Sequence, residues 1–262
     1  MRALLICHEE AAAPAVLGRL LVERGVDVTQ HVVLAADGSP PDTAFPPIDG
    51  VDLVVSFGSF ANVYDTSVRS WVEPELDLIR DALADDVPFV GVCFGAQLLA
   101  EALGGRVERA PVTEIGAVRI DRTDAVSDAV PAGPWFTWHE DRVVLPDDVD
   151  VLGRTDHAVQ LFRRGRAVGL QFHPEADHDL IEGWTRLGPE HLPAGLTPAS
   201  LLAGWRVSEE EAHANAARLV DWLLATLVPD GGQWRGPRPA GSPGRGEPWS
   251  GRPGGTVERE RR

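Results

Sequence analysis

The sequence predicts an α/β fold with an open, mostly parallel sheet, helices on both faces and a β-rich second half. Three observations support this expectation. Short apolar runs of strand length alternate, through the first hundred residues, with segments that repeat apolar residues at helical spacing. A series of short strands separated by turns follows residue 105. The chain has 262 residues, 44% of them hydrophobic, which is enough for a substantial core.

The first half of the chain supplies the parallel strands. Strands are predicted over 3–7, 27–33, 52–57 and 87–92, and helices over 13–23, 74–84 and 97–103. Gly25 and the Gly104-Gly105 pair are expected to end the first and third helices, and Pro74 is placed in the first turn of the second. This order is typical of a flavodoxin-like three-layer arrangement, in which ligands bind at the carboxyl ends of the strands.

The second half is predicted to be mostly β. Its strands are expected over 114–119, 142–145, 151–155, 158–163 and 167–172. A final helix is predicted over 209–227, with Ser208 and Glu211 forming a capping box before it. One domain is therefore expected over 1–228. Residues 229–262, dense in Gly, Pro and Arg, are predicted to be a disordered tail.

Composition argues against several classes of partner and cofactor. The net charge of -16 disfavours nucleic acid and an anionic membrane surface, since both attract clustered cations. All 24 basic residues are arginines, so neither a pyridoxal Schiff base nor a Walker-type phosphate lysine can form. The N-terminus turns acidic after a few apolar residues, unlike a signal peptide, and no apolar run is long enough to span a membrane. Two cysteines do not make a disulfide framework, so a reducing, cytoplasmic location is expected.

Cys93 is the strongest candidate for a nucleophile. It lies between an apolar strand and an apolar helix, with Gly91 and Gly95 on either side to permit a sharp turn. At a helix N-terminus the dipole and free amides favour the thiolate. The amide of Phe94 would point into the same space and form half of an oxyanion hole.

A base and an orienting acid follow eighty residues later. His173 and Glu175 come at the end of another apolar strand, and alternation in an extended segment would place both side chains on one face. A cysteine nucleophile needs such a base, and the base needs a group that holds its tautomer.

Plainer interpretations exist for each of these features. A single cysteine is usually a small core residue, which is the expectation for Cys7. A His-Pro-Glu segment is usually a turn. Asp177, His178 and Asp179 could suggest a metal cluster, but the capping of a helix that starts near Asp177 explains them more simply, so no metal is expected.

Together these motifs resemble the class I, or triad-type, glutamine amidotransferase family. The family motifs, G-x-C-x-G-x-Q and a strand followed by H-P-E, are present in full at 91–97 and 173–175. The resemblance covers about residues 1–228. It implies Cys93 as nucleophile, His173 as general base and acid, and Glu175 as orienter. The implied reaction opens the γ-carboxamide of glutamine through a γ-glutamyl thioester, without a cofactor.

Residues 54–65 resemble the family's oxyanion strand and loop, and their Val-Tyr-Asp ending is similar to the GMP synthase branch. The usual Gly-Gly-Pro of that loop reads Phe57-Gly58-Ser59-Phe60 here. One glycine is kept, so an amide can still approach an oxyanion. The donor from this loop is therefore Gly58 or Ser59.

Residues 138–143 resemble the S-H-G-D-x-V segment of the same branch, whose backbone contacts glutamine. Trp138 replaces its serine, and His139 follows. Both residues are assigned to the substrate pocket. Gln97, the last residue of the first motif, fits either a substrate contact or a structural role.

Three function classes remain open. The first is a glutaminase that releases ammonia to a separate synthetase or acceptor enzyme, because no synthetase domain is fused to this chain. The second is a stand-alone γ-glutamyl hydrolase or peptidase, with the same thioester and water as the final acceptor. The third is a non-catalytic binding member of the fold, against which the intact Cys93, His173 and Glu175 argue.

Overall fold

The computed structural model describes residues 1–9, 11–35, 38–39 and 44–228. Its strands are β1 (Arg2–Cys7), β2 (Asp27–Val32), β3 (Leu53–Ser56), β4 (Phe89–Val92), β5 (Arg106–Val118), β6 (Asp121–Arg122), β7 (Trp135–Val144), β8 (Asp150–Arg154), β9 (Val159–Arg164) and β10 (Ala167–Leu170). Its α-helices are α1 (Ala15–Glu23), α2 (Arg69–Ala84), α3 (Phe94–Ala102), α4 (His178–Leu187), α5 (Pro198–Arg206) and α6 (Glu209–Leu227), and a 3-10 turn covers Pro189–His191.

Eight strands form one sheet in the order β2-β1-β3-β4-β10-β9-β8-β6. The first five are mutually parallel, and β9, β8 and β6 continue the sheet in antiparallel pairs. β5 and β7 form a separate antiparallel pair. The predicted fold class is confirmed: a mostly parallel sheet flanked by helices, followed by a β-rich second half.

The helices cover both faces of this sheet. Along β1, Leu5 and Cys7 face a core shared with α1 and α6, whereas Leu4 and Ile6 face a core shared with α2 and α3. This alternation follows from the two-residue period of a strand buried on both faces. A third apolar cluster joins α4 and α5 to Phe136 of β7.

Two predictions about helix starts are wrong. α2 begins at Arg69, so Pro74 lies inside the helix rather than in its first turn. Buried Trp71 and Val72 anchor the added turn in the core, which offsets the hydrogen bond that the proline cannot donate. Ser208 precedes α6 in a helical conformation, and its side chain makes no capping bond. Glu211 pairs with Arg119 instead, at 3.1 Å.

The structure also adds elements that the sequence did not predict. β5 and β7 are much longer than the predicted segments, and α5 was not predicted. Residues of β5 are mostly exposed or half-buried, so the strand lacks a clear apolar alternation. The predicted tail over 229–262 lies outside the described residues. Within the described part of the chain, no helix is long and apolar enough to cross a membrane.

Candidate active site

The turn between β4 and α3 places Cys93 at the carboxyl end of the sheet. Cys93 adopts φ 51° and ψ -104°, a backbone conformation that non-glycine residues rarely adopt. A Cβ on Gly91 would lie 2.4 Å from the carbonyl oxygen of Gly95, and one on Gly95 would lie 2.2 Å from that of Ser56. Both glycines are therefore required for the close contact of turn, helix and strand, as the motif predicts.

The N-terminus of α3 faces the same space as the sulfur of Cys93. Phe94 is the first residue of the helix, and the amide of Gly95 donates to the Phe57 carbonyl at 3.0 Å. The Cys93 thiol lies 3.9 Å from the carbonyl oxygen of Trp138. Cys93 is only 6% exposed, so a substrate must enter the cavity that this residue lines to reach the sulfur.

His173 and Glu175 form a buried pair. His173 Nδ1 lies 2.7 Å from Glu175 Oε1. The prediction of an extended segment here is wrong, because a turn closed by the Ala176 amide on the His173 carbonyl, at 3.4 Å, brings the side chains together. The His173 amide donates to the Phe136 carbonyl at 2.8 Å and fixes the segment against β7.

The charges around His173 favour its imidazolium form. Burial by itself lowers the pKa of His173. The Glu175 carboxylate and the adjacent Cys93 side chain raise it by more than burial lowers it, so the net pKa is about 10. At neutral pH the ring therefore carries a proton on each nitrogen. One faces Glu175, and the other is available on the side of Cys93.

Trp184 of α4 was not predicted as a site residue. Its ring lies 4.8 Å from that of His173, centroid to centroid, and its indole nitrogen donates to the Ala11 carbonyl at 2.8 Å. The indole ring therefore packs against the imidazole ring. A tryptophan on an amphipathic helix is usually a core residue, so no signal in the sequence distinguishes it.

Gly58, in the loop after β3, lies close to both His173 and Cys93. A Cβ added there would lie 3.2 Å from His173 Cε1 and 3.8 Å from Cys93 Cβ. The glycine that the sequence singled out thus lets the loop backbone reach both side chains. Ser59 and Phe60 continue along the wall of the same cavity.

The segment after Trp135 forms the opposite wall. Asp141 accepts hydrogen bonds from Asn62 Nδ2, at 2.6 Å, and from Tyr64 Oη, at 2.9 Å, and so joins this segment to the loop after β3. The sequence shows the Val-Tyr-Asp and Trp-His-Glu-Asp segments, but it does not predict that they are in contact. Their contact joins residues that are 77 and 79 positions apart along the chain.

The side chain of His139 is directed away from the cavity. Its Nδ1 lies 2.9 Å from the Asp141 carbonyl and its Nε2 lies 3.1 Å from the Gln160 amide nitrogen. Gln160 in turn donates to Glu114 at 3.0 Å. The His139 ring is therefore held by Asp141 and Gln160, and the residue is among those that line the cavity.

Gln97 is buried, and its amide nitrogen lies 3.5 Å from Gln171 Oε1. It lines the cavity together with the residues described above. The lining is Glu9, Ala12, Gly58, Ser59, Phe60, Ala61, Asn62, Cys93, Phe94, Gln97, Trp138, His139, Glu140, Asp141, His173, Trp184 and His191. Eight of the nine predicted site residues line this cavity. The ninth, Glu175, lies behind His173.

Asp177 caps α4 as predicted: its side chain accepts from the Leu180 amide at 2.9 Å. Cys7 is fully buried, as expected, and burial raises the pKa of its thiol to about 12. Among the described residues, no group of three or more His, Cys, Asp or Glu side chains has the arrangement of a metal site.

Residues 15–182, more than half of the chain, match the family model "Glutamine amidotransferase class-I". This chain belongs to the class I glutamine amidotransferase family. The match includes the Cys93 turn and the His173–Glu175 pair.

Curated relatives of this amidotransferase chain include two bacterial GMP synthases (glutamine-hydrolysing). The protein of Cytophaga hutchinsonii is 32% identical over 149 residues, which are 53% of this chain and 28% of the relative. That of Staphylococcus aureus strain JH9 is 35% identical over 112 residues, which are 38% of this chain and 22% of the relative. The chain thus matches only about a quarter of the length of these relatives.

Solved structures agree on the fold. A glutamine amidotransferase of Thermotoga maritima has a TM-score of 0.74 and 24% identity, over 86% of this chain and 98% of its own. A glutamine amidotransferase of Methylobacillus flagellatus has a TM-score of 0.72 and 25% identity, over 92% of this chain and 99% of its own.

Proposed function

We propose that this chain hydrolyses the γ-amide of glutamine through a thioester on Cys93 and releases ammonia to a separate acceptor enzyme. The observation that supports this most directly is the buried His173–Glu175 pair beside Cys93 at the strained β4–α3 turn. A cysteine, a base and an orienting carboxylate in this arrangement are suited to acyl transfer.

In the first half of the reaction the Cys93 sulfur attacks the amide carbon of the substrate and forms a C–S bond. The carbonyl electron pair moves to oxygen, where amides of Phe94 and of the Gly58–Ser59 loop stabilise the charge. As the C–N bond breaks, His173 donates its proton to the nitrogen and ammonia leaves. The Glu175 carboxylate holds Nδ1 of the ring throughout.

In the second half a water molecule attacks the thioester. His173, now neutral, takes a proton from the water, and a new C–O bond replaces the C–S bond. His173 keeps this proton, the sulfur leaves as the thiolate and glutamate is released, so the charge state at the start of the cycle is restored. The reaction is a hydrolysis that consumes one water and requires no cofactor.

Labelling with 6-diazo-5-oxo-norleucine, followed by intact mass, tests this proposal. We expect one adduct on the wild type, none on Cys93→Ala, and an unchanged adduct on the matched control Cys7→Ala. Cys93→Ala should also lose turnover of glutamine while keeping its circular dichroism spectrum. An adduct that persists without Cys93, or a wild type that neither labels nor hydrolyses any γ-glutamyl amide, would refute it.

The aromatic side of the cavity favours a second candidate, a γ-glutamyl hydrolase with a larger leaving group. Phe60, Trp138 and Trp184 line the cavity, and the ring of His191 stacks on Phe60 at 6.1 Å. Rings of this kind stabilise an apolar leaving group more than ammonia. A higher kcat/KM for γ-glutamyl-p-nitroanilide than for glutamine would favour this candidate.

A further inference from the structure

A second buried histidine–glutamate pair lies directly behind the loop that carries Gly58. His8 Nε2 is 2.8 Å from Glu75 Oε2, and Ser56 Oγ donates to the other oxygen of Glu75 at 2.7 Å. His8 and Glu75 are completely buried. His8 Nδ1 reaches forward to the carbonyl oxygen of Gly58 at 3.0 Å.

The periodicity of three elements brings these groups together. His8 continues the face of β1 that carries Leu4 and Ile6, towards α2 and α3. Ser56 lies on the same face of β3. Glu75 occupies the buried stripe of α2 between Trp71 and Ile79, where a glutamate is rare unless it is paired.

The protonation of His8 follows from its partners. The carbonyl of Gly58 can only accept, so Nδ1 must donate to it. Burial lowers the pKa of His8, but the Glu75 carboxylate raises it more, and the net pKa lies above its ordinary value. Nδ1 thus donates to the Gly58 carbonyl, and Nε2 lies within hydrogen-bond distance of the Glu75 carboxyl group.

This contact fixes one peptide plane of the loop. In a trans peptide the carbonyl and the N–H of the next residue point in opposite directions. Because the Gly58 oxygen points to His8, which is buried behind the loop, the Ser59 N–H points to the other side, where Ser59 lines the cavity. The same contact keeps the Gly58 carbonyl oxygen, which would repel an oxyanion, directed away from Cys93.

Glu9 holds the neighbouring residues of the loop. Its Oε1 accepts from the Ser59 hydroxyl at 2.7 Å, and its carboxylate also accepts from the Phe60 amide. The Phe60 amide is therefore engaged. This leaves the amides before it, those of Gly58 and Ser59, as the candidate donors of the loop.

We propose that His8, supported by Glu75 and Ser56, is a positioning residue that orients the Gly58–Ser59 peptide so that the Ser59 N–H serves as an oxyanion donor. This inference rests on the proposed amide hydrolysis and assigns the donor within it. His8 does not touch the substrate; it acts through the loop.

The test compares kcat, KM and ground-state binding in His8→Phe. Loss of an aligned donor weakens the transition state alone, so we expect kcat to fall on the order of 10- to 100-fold with KM changed by no more than about twofold. The affinity of Cys93→Ala for glutamine should be the same with and without His8→Phe. Glu75→Gln, which keeps the shape and removes the charge, should show a smaller loss confined to kcat.

His31→Phe is the matched control, because His31 lies on β2 and does not line the cavity; its kcat should be unchanged. An unchanged kcat in both His8→Phe and Glu75→Gln overturns the positioning role. A parallel loss of glutamine affinity also overturns it, since that indicates general disruption of the pocket. If His8→Phe does not fold, as judged by circular dichroism, Glu75→Gln decides. A wild type without any amide hydrolysis rejects the proposed function itself, and the assignment of the donor with it.

Discussion

At Gly58 a single hydrogen atom occupies the space between the loop backbone and the proposed catalytic side chains. His173 Cε1 would lie 3.2 Å from a Cβ at this position, closer than most such contacts. Gly58 therefore controls how near the loop amides come to Cys93. Conformation is not the reason for the glycine, because Gly58 is not among the residues with positive φ.

Gly58→Ala should lower kcat by roughly ten- to a hundredfold and leave the fold intact, because the methyl group displaces the imidazole or the loop by a few tenths of an ångström. Steady-state hydrolysis of glutamine measures the effect. Gly204→Ala, at an exposed position of α5, is the matched control, since a Cβ there meets nothing within 4 Å. The control should keep full activity and gain about 0.5–1 kcal/mol of stability. Wild-type kcat in Gly58→Ala would contradict the close packing of the loop on His173.

Cys93, His173 and Glu175 are identifiable from the sequence because their motifs have strict local spacing. His8 and Glu75 have none: they are 67 positions apart and meet only through β1 and α2. The single local signal is a polar residue just after a buried parallel strand, at the edge where α/β sheets bind ligands. That signal predicts that His8 is near the site, but it does not identify Glu75 as its partner.

At the scale of elements, the complete capping box is at α5, which the sequence did not predict, and not at α6, where the sequence predicted one. Thr197 and Ser200 form a complete capping box at the start of α5, whereas Ser208 before α6 makes no side-chain cap. α5 in turn packs buried Leu201 and Trp205 near Phe136, whose carbonyl holds the His173 amide. The cap of α5 thus supports one wall of the site.

Thr197→Ala should lower the free energy of unfolding by about 1 kcal/mol, because it leaves the Ser200 amide without its partner. Ser208→Ala should change it very little, since no capping bond is lost. Urea denaturation of the two variants beside the wild type measures both values. If both variants lost the same free energy of unfolding, the capping bond of Thr197 would not account for the stability difference that we expect.

The central parallel strands β1, β3, β4 and β10 were predicted well because they are nearly continuous apolar runs of strand length. The long β5–β7 pair was not. One strand of the pair is largely exposed, and pairing with a partner decides its length. Local pattern does not carry that information.

At the scale of the whole molecule, two buried histidine–glutamate pairs link stability to pH. The folded-state pKa of His173 is raised from 6.5 to about 10. A group with a raised folded pKa contributes stability that is fully present below its unfolded pKa and is lost as pH rises through the folded value. His8 shifts in the same direction.

The stability difference between wild type and His173→Gln should therefore be largest below about pH 6.5 and decline towards pH 10. Urea denaturation at intervals of pH checks this. His31 provides a contrast of opposite sign, because burial lowers its pKa. For His31→Gln relative to wild type, any stability gain should appear as pH falls below 6.5. A pH-independent difference for His173→Gln would exclude the charged pair.

The sequence alone predicted the fold class and the family, and it supplied Cys93, His173 and Glu175 as the proposed reactive side chains, because strand periodicity and motif spacing are local properties of the chain. Only the tertiary structure decided which groups surround them. It turned the His139 ring away from the cavity, placed Trp184 on His173, and set His8 and Glu75 behind Gly58. These contacts join residues distant along the chain, and they form only when the parallel strands and their covering helices are packed together.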